Sequence, residues 1–189
     1  MNNAVDIEFF NNPKKDFNRI KKRILFIDSE TEVKRTTDIY TALEKVIKLY
    51  PNTTIIAFGN KKSNKIPSFV QFFENPSDGE IKTLYCSSDI FVGASKEEGF
   101  YLAPAEAMAC KCAVIVTKVG AVEEYSVHMK SAIHIDPLSP VQIVNAIEML
   151  LNNPELLKRI SIAGYDEVRR KMKWESSTNK MENILSTTD

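Results

Sequence analysis

Residues 89–109 read DIFVGASKEEGFYLAPAEAMA, and this stretch predicts a strand, a tight turn and a helix in direct succession. The run Asp89–Gly93 is apolar enough to form a buried strand. Two carboxylates flank the start of the helix, Glu98 in the turn and Glu106 beyond it, with seven residues between them. Because the unpaired amides of a helix N-terminus bind anions readily, the sequence predicts an anion site between two carboxylates.

The rest of the chain alternates apolar runs with amphipathic segments, which predicts an α/β fold. Strands are expected at 23–28, 53–58, 69–73, 89–94, 113–117 and 132–135, and helices at 38–49, 78–87, 102–110, 120–125, 139–151 and 153–172. This order indicates a doubly wound, Rossmann-like parallel sheet of about six strands with helices on both faces. Ser139 and Gln142 have the spacing of a capping box. Ligands of such sheets bind at the carboxyl ends of the strands.

Composition narrows the function classes. The 189 residues carry 25 basic and 25 acidic side chains, so the chain has no net positive charge that would favour nucleic-acid binding. The chain lacks an apolar run of about 18 residues and the layout of a signal peptide, which predicts no membrane span and a cytoplasmic protein. A basic cluster at 14–23 is interpreted as a solvated face more readily than as a partner site.

The three cysteines, Cys86, Cys110 and Cys112, are odd in number and poorly spaced for a disulfide framework. Cys110 and Cys112 have the spacing of a metal-ligand pair, but the sequence offers no second pair. We therefore expect two small buried side chains and a reducing environment.

Several separate motifs, in the right order, resemble the retaining glycosyltransferases of family 4. Residues 98–106 resemble the E-x7-E motif of their donor site. Further similarities are the hinge motif NGVDxxxF at 3–10, LYxxADxFV at 84–92, GGxxE at 120–124 and WE at 174–175. The resemblance covers nearly the whole chain, which makes it far more specific than one short motif.

The resemblance implies one half of a GT-B fold, in which two Rossmann-like domains bind acceptor and nucleotide-sugar donor separately. The chain starts at the hinge motif, so it resembles the donor-binding half, and we expect an acceptor-binding domain or separate subunit as partner. The resemblance allows peripheral membrane contact. The predicted organisation is a hinge at 1–22, a nucleotide-sugar-binding domain at 23–173 and a C-terminal helix at 174–189.

The resemblance also implies roles for individual residues. Glu106 corresponds to the carboxylate that binds the ribose diol, and Glu98 to the one beside the transferred sugar. Arg35 aligns with a lysine that contacts the diphosphate, so Glu98 and Arg35 are the catalytic candidates. The remaining donor-binding candidates are Gly99, Phe100, Tyr101, Leu102, Lys34, Gly59 and Asn75. No metal or other cofactor is expected, since the sequence lacks a D-x-D motif.

The chain departs from the family pattern around the phosphates. Asp28 replaces a loop glycine, Glu30 and Glu32 add negative charge, and Tyr101 replaces the second glycine of EGFG, which would narrow or reshape the sugar pocket. Two alternatives therefore stay open: a non-catalytic nucleotide-binding or assembly module, and a sugar-nucleotide epimerase of similar fold. A carboxylate such as Glu106 near a helix N-terminus can also be purely structural.

Overall fold

The structure is a computed structural model that describes residues 4–62 and 64–172. Within these ranges six parallel strands form one sheet in the order β3-β2-β1-β4-β5-β6. The strands are β1 Arg23–Ile27, β2 Thr54–Gly59, β3 Val70–Glu74, β4 Ile90–Gly93, β5 Ala113–Thr117 and β6 Ile133–Ile135. The strand order reverses between β1 and β4, so the predicted doubly wound sheet is confirmed and its switch point lies between these two strands.

Helices cover both faces of the sheet, as the alternation predicted. They are α1 Thr36–Leu49, α2 Asp78–Ser87, α3 Leu102–Ala109, α4 Val122–Tyr125, α5 Pro140–Asn152 and α6 Pro154–Lys171. Alternate residues of β1 serve opposite faces: Ile24 and Phe26 pack with α1 and α5, whereas Leu25 packs with α2 and α3. All three are fully buried, which explains why the strands appear in the sequence as continuous apolar runs.

The predicted element boundaries differ from the structure by at most two residues, and one predicted helix cap was wrong. Ser139 makes no side-chain cap for α5. Gln142 instead bonds Asp136 twice, accepting from its backbone N–H and donating to its carboxylate, both at 2.8 Å. Asn153 caps α6 as expected, its Oδ1 accepting from the N–H of Leu156 at 2.9 Å. The predicted C-terminal helix at 174–189 lies outside the described residues.

The basic segment before β1 is partly structural. Lys15 donates to the carbonyls of Cys86 and Ser88, and Arg19 donates to that of Ser87. The last carbonyls of a helix have no partner within it, so these side chains satisfy the C-terminus of α2. The prediction of a solvated face holds for the exposed Lys14 and is wrong for Lys15 and Arg19.

Glu167 on α6 is the centre of an ion-pair network that should make stability depend on pH. It pairs with Lys130 at 3.4 Å, Arg170 at 2.6 Å and Lys171 at 3.1 Å. Burial raises the pKa of Glu167, but hydrogen bonds and charges of Arg170 and Lys171 outweigh it and lower the pKa to about 2. The stabilisation is therefore present above the ordinary pKa of 4.5 and lost as the pH falls toward the folded value.

We expect Glu167→Gln to lower the free energy of unfolding by about 1–2 kcal/mol at neutral pH and by much less in acid. Urea denaturation at both pH values measures the difference. Glu44→Gln removes an exposed carboxylate from α1 and is the matched control. An equal loss for Glu167→Gln at both pH values would show that the carboxylate charge is not the source of the stabilisation.

Candidate functional site

The loops that follow β1 and β4 meet at the switch point of the sheet. The ammonium of Lys34, after β1, donates to Glu98 Oε1, after β4, at 2.6 Å. The backbone N–H of Lys96 donates to the carbonyl of Val33 at 2.8 Å and ties the same two loops together. The structure thus brings together two of the site residues that the sequence predicted.

The carboxylate of Glu98 is held from two sides. Besides Lys34, Ser95 donates its hydroxyl to the same Oε1 at 2.7 Å. The Lys34 ammonium also lies 5.4 Å from the centroid of the Tyr101 ring, a cation–π distance. The Glu98 side chain is 16% exposed. One face of this charge is therefore compensated by the protein, while the group still reaches the surface.

Gly120 holds the backbone of the Glu98 loop. Its φ is +57°, and a Cβ there would lie 2.4 Å from the Gly99 carbonyl oxygen and 2.6 Å from that of Glu98. The N–H of Ala121 donates to the same Gly99 oxygen at 3.1 Å. Apart from Gly99 and its two chain neighbours, no heavy atom within the described ranges lies within 4 Å of a Cβ built on Gly99. The close approach between protein segments is thus at Gly120, and the space beside Gly99 is open.

Tyr101 caps α3 in the left-handed conformation, with φ of +67°. Its ring is buried over Gly93, where an added Cβ would lie 2.4 Å from the Tyr101 hydroxyl. That hydroxyl lies 3.1 Å from Ser95 Oγ, and the Tyr125 hydroxyl donates to the Tyr101 carbonyl at 2.8 Å. The Tyr101 side chain therefore packs beneath the loop that carries Glu98 and lines the bottom of the site.

The N-terminus of α3 remains available to an anion. Within the described ranges, no side chain accepts from the amides of its first turn. Phe100 precedes this turn and packs on Tyr125 with ring centroids 5.7 Å apart, and Leu102 begins the helix with its side chain partly exposed. Backbone amides at this position carry the positive end of the helix dipole.

Glu106 faces the buried Tyr85 of α2. The Tyr85 hydroxyl donates to Glu106 Oε2 at 3.1 Å. Burial raises the pKa of Glu106, and the hydrogen bond from Tyr85 partly offsets this. A carboxylate oriented by a rigid, buried hydroxyl suits the recognition of a diol, because its two oxygens only accept hydrogen bonds.

A cavity of about 430 Å³ opens at the carboxyl ends of β1, β2 and β3. Lys34, Gly59 and Asn75, three predicted donor-binding residues, all line it. Asn75 has φ of +45° and donates its N–H to the Gly59 carbonyl at 2.7 Å. Sequence reasoning missed Asn60 and Ile81 in the same wall, although Asn60 is the second residue after the strand predicted at 53–58.

Arg35 lies away from this cavity, in a neighbouring one of about 460 Å³ beside Asp28. Its guanidinium is bound by Asp38 through two hydrogen bonds of 2.9 and 2.8 Å. Asp28, which replaces the loop glycine, accepts from the Tyr40 hydroxyl at 2.7 Å. Burial raises the pKa of Asp28, and the Tyr40 hydrogen bond works against it. Arg35, predicted to bind the diphosphate, and Asp28, which replaces the loop glycine near it, thus both have hydrogen-bond partners within the protein.

A larger cavity, of about 570 Å³, lies at the opposite edge of the sheet among Phe17, Ile20 and Tyr50. It borders the amino ends of β1 and β2, where ligands of such sheets do not bind. Among residues 4–62 and 64–172, no helix combines the length and the apolar character needed to cross a membrane.

The comparisons with known proteins concern the family and the fold. An uncharacterized glycosyltransferase of Methanocaldococcus jannaschii is 24% identical over 173 residues, which are 87% of this chain and 44% of that protein. The C-terminal domain of a glycosyl transferase group 1 protein from Francisella tularensis has a TM-score of 0.79 and 28% identity, and the match covers 90% of this chain and all of that domain.

An Anabaena protein solved in complex with UDP-glucose shares the fold, with a TM-score of 0.82 at 16% identity over 97% of this chain and 56% of that one. The chain covers less than half the length of the curated relatives it matches. The profile of one family, glycosyl transferases group 1, matches residues 8–167. The chain therefore belongs to the glycosyl transferases group 1 family.

Proposed function

We propose that this chain is the donor-binding half of a retaining glycosyltransferase that moves a sugar from a nucleoside diphosphate to an acceptor. The observation that carries the proposal is the Lys34–Glu98 pair at the switch point of the sheet, with Lys34 over the ring of Tyr101, the residue that precedes the free N-terminus of α3. Glu106 lies in the second turn of the same helix and is bonded by Tyr85. Membership of the family and the fold shared with a protein that binds UDP-glucose support it.

In this proposal the nucleoside enters the cavity lined by Gly59 and Asn75. Glu106 accepts hydrogen bonds from the ribose hydroxyls, as its orientation by Tyr85 favours. The diphosphate lies against the first amides of α3, which stabilise the charge that grows as the bond to the sugar breaks. Glu98 lies beside the transferred sugar, and positioning rather than strong acid–base catalysis accelerates the reaction without a metal.

We propose Lys34, rather than Arg35, as the principal cation for the diphosphate. Lys34 lines the same cavity as Gly59 and pairs with Glu98, whereas Nε and Nη2 of the Arg35 guanidinium both donate to the carboxylate of Asp38. Recruiting Arg35 would require breaking that bidentate pair, which costs free energy. The acceptor site would belong to a second domain or subunit, since the matches cover only 30% and 44% of two of the relatives.

Calorimetric titration of the chain with UDP, GDP and ADP tests the proposal. We expect saturable binding of one nucleotide, and Lys34→Ala should weaken it about ten-fold, the effect of losing a hydrogen bond to a charged group. Arg35→Ala should weaken it less. The reverse order of effects would reassign the cation. No binding of any nucleotide at millimolar concentration would contradict a donor half.

That last outcome would favour the second candidate function, an assembly module of the same fold. The acidic loop supports this alternative, because Glu30 and Glu32 are exposed close to the proposed diphosphate position. A Glu30→Gln/Glu32→Gln double variant distinguishes the two. It should tighten nucleotide binding in a donor half, because it removes repulsion from the anion, and change nothing in an assembly module.

A further inference from the structure

A pair of thiols joins α2 to α3 outside the site described above. Cys86 lies in the last turn of α2 and Cys110 at the C-terminal end of α3. Their sulfur atoms are 3.4 Å apart. Cys86 is half-buried and reaches solvent, whereas Cys110 is fully buried.

We propose that Cys86 and Cys110 are a modification site at which small-molecule disulfides oxidise the pair to a disulfide bond. Closing the distance from 3.4 Å to the length of an S–S bond, roughly 2 Å, requires one sulfur to move by about 1.4 Å. A rotation of the half-exposed side chain of Cys86 can provide much of this movement. Sequence spacing gave no hint of the pair, because the contact depends on how two helices pack.

The two thiols have different environments, and this difference indicates which of them attacks the oxidant first. The Cys86 thiolate can accept a hydrogen bond from Cys110, and this bond, followed by the positive charges of Lys15 and Lys82, lowers the pKa of Cys86 despite its partial burial. The same contact and complete burial raise the pKa of Cys110. Cys86 is therefore the thiolate that attacks, since exposure and thiolate character control cysteine reactivity.

The reaction proceeds in two thiol–disulfide exchanges. The Cys86 thiolate attacks one sulfur of oxidised glutathione, forms a mixed disulfide and releases one glutathione thiolate. Cys110 then gives its proton to solvent and attacks Cys86 Sγ, which breaks the mixed disulfide and releases the second glutathione. The protein loses two electrons and two protons, and the oxidant gains them. Because Cys110 is buried with a raised pKa, we expect the second exchange to be the slower one.

Cys112 is a built-in control. Its thiol is buried and donates to the carbonyls of Tyr85 at 3.1 Å and Ser88 at 3.4 Å, so it is directed away from the pair. Burial also raises its pKa to about 11. It should stay reduced while the other two cysteines react.

The test treats the whole chain with oxidised glutathione and follows intact mass after alkylation of the remaining thiols. We expect a transient glutathione adduct, then a species that has lost two hydrogens and keeps one alkylated cysteine. Digestion should yield a linked peptide pair containing Cys86 and Cys110, which dithiothreitol separates. Cys110→Ser should stop at the adduct, Cys86→Ser should not react, and Cys112→Ser should behave like the wild-type chain.

Other outcomes overturn the proposal. An adduct on wild-type Cys86 that never resolves would show that Cys110 cannot reach it. A linked peptide containing Cys112 would show that the proposed pair of cysteines is wrong. Circular dichroism of each serine variant verifies folding, so that absence of reaction in Cys86→Ser reports on the thiol. None of these measurements depends on nucleotide binding, so the pair can be tested even if the proposed glycosyltransferase function fails.

Discussion

A Glu106→Ala variant should bind the preferred nucleoside diphosphate about 10- to 100-fold more weakly than the wild-type chain. The proposed ribose contact uses a charged acceptor, and such hydrogen bonds contribute more than neutral ones. The substitution also leaves the Tyr85 hydroxyl without its partner inside the protein. Calorimetry measures the affinity, and Glu97→Ala removes an exposed neighbouring carboxylate as the matched control.

The pH dependence of the same binding reaction identifies the protonation state that Glu106 needs. Burial raises its pKa, so the carboxylate should start to protonate at a higher pH than an ordinary glutamate. Protonation replaces an acceptor with a donor, and affinity should fall as the pH drops through that raised value. Tyr85→Phe removes the hydrogen bond that lowers the pKa and should move the loss of affinity to still higher pH. Affinity that is constant across mildly acidic pH would contradict a role for ionised Glu106.

The fold could be predicted from the sequence because strands that are buried on both faces of a sheet appear as continuous apolar runs. Residues 24–27 (ILFI) and 113–116 (AVIV) are apolar throughout, and the intervening segments have helical periodicity. Element ends were less predictable, because they depend on local hydrogen bonds. Gln142 illustrates this: its side chain bonds Asp136 in the preceding turn instead of the helix cap that its spacing suggested.

The candidate site was only partly predictable. Sequence motifs identified Glu98 and Lys34, but their contact joins residues 64 positions apart and depends on how two loops meet. It was harder to predict which of two adjacent cations, Lys34 or Arg35, belongs to the site. Arg35 has φ of +52°, a conformation rare for residues other than glycine, and its side chain bonds Asp38. Nothing in the sequence indicates that turn, so the choice between Lys34 and Arg35 required the structure.

Replacing Gly120 with alanine should destabilise the fold on the order of 2–4 kcal/mol and abolish nucleotide binding. The φ of +57° disfavours any Cβ, and the added carbon would lie 2.4 Å from the Gly99 oxygen and 2.6 Å from the Glu98 oxygen. Both neighbours are backbone atoms, so no side-chain rotation relieves the overlap. The loop that carries Glu98 must shift, and its pairing with Lys34 shifts with it.

Gly99→Ala separates this effect from the general cost of losing a glycine. Gly99 lies in the same loop and has open space where its Cβ would be, so the variant should unfold within about 0.5 kcal/mol of the wild-type chain. It adds a methyl group facing the proposed diphosphate, and weaker nucleotide binding at unchanged stability would place the ligand beside it. Urea denaturation and calorimetry on both variants therefore distinguish two roles for glycine, support of the loop at Gly120 and clearance for the donor at Gly99. Equal stability losses in the two variants would contradict this division, because only Gly120 has backbone atoms in contact with the added carbon.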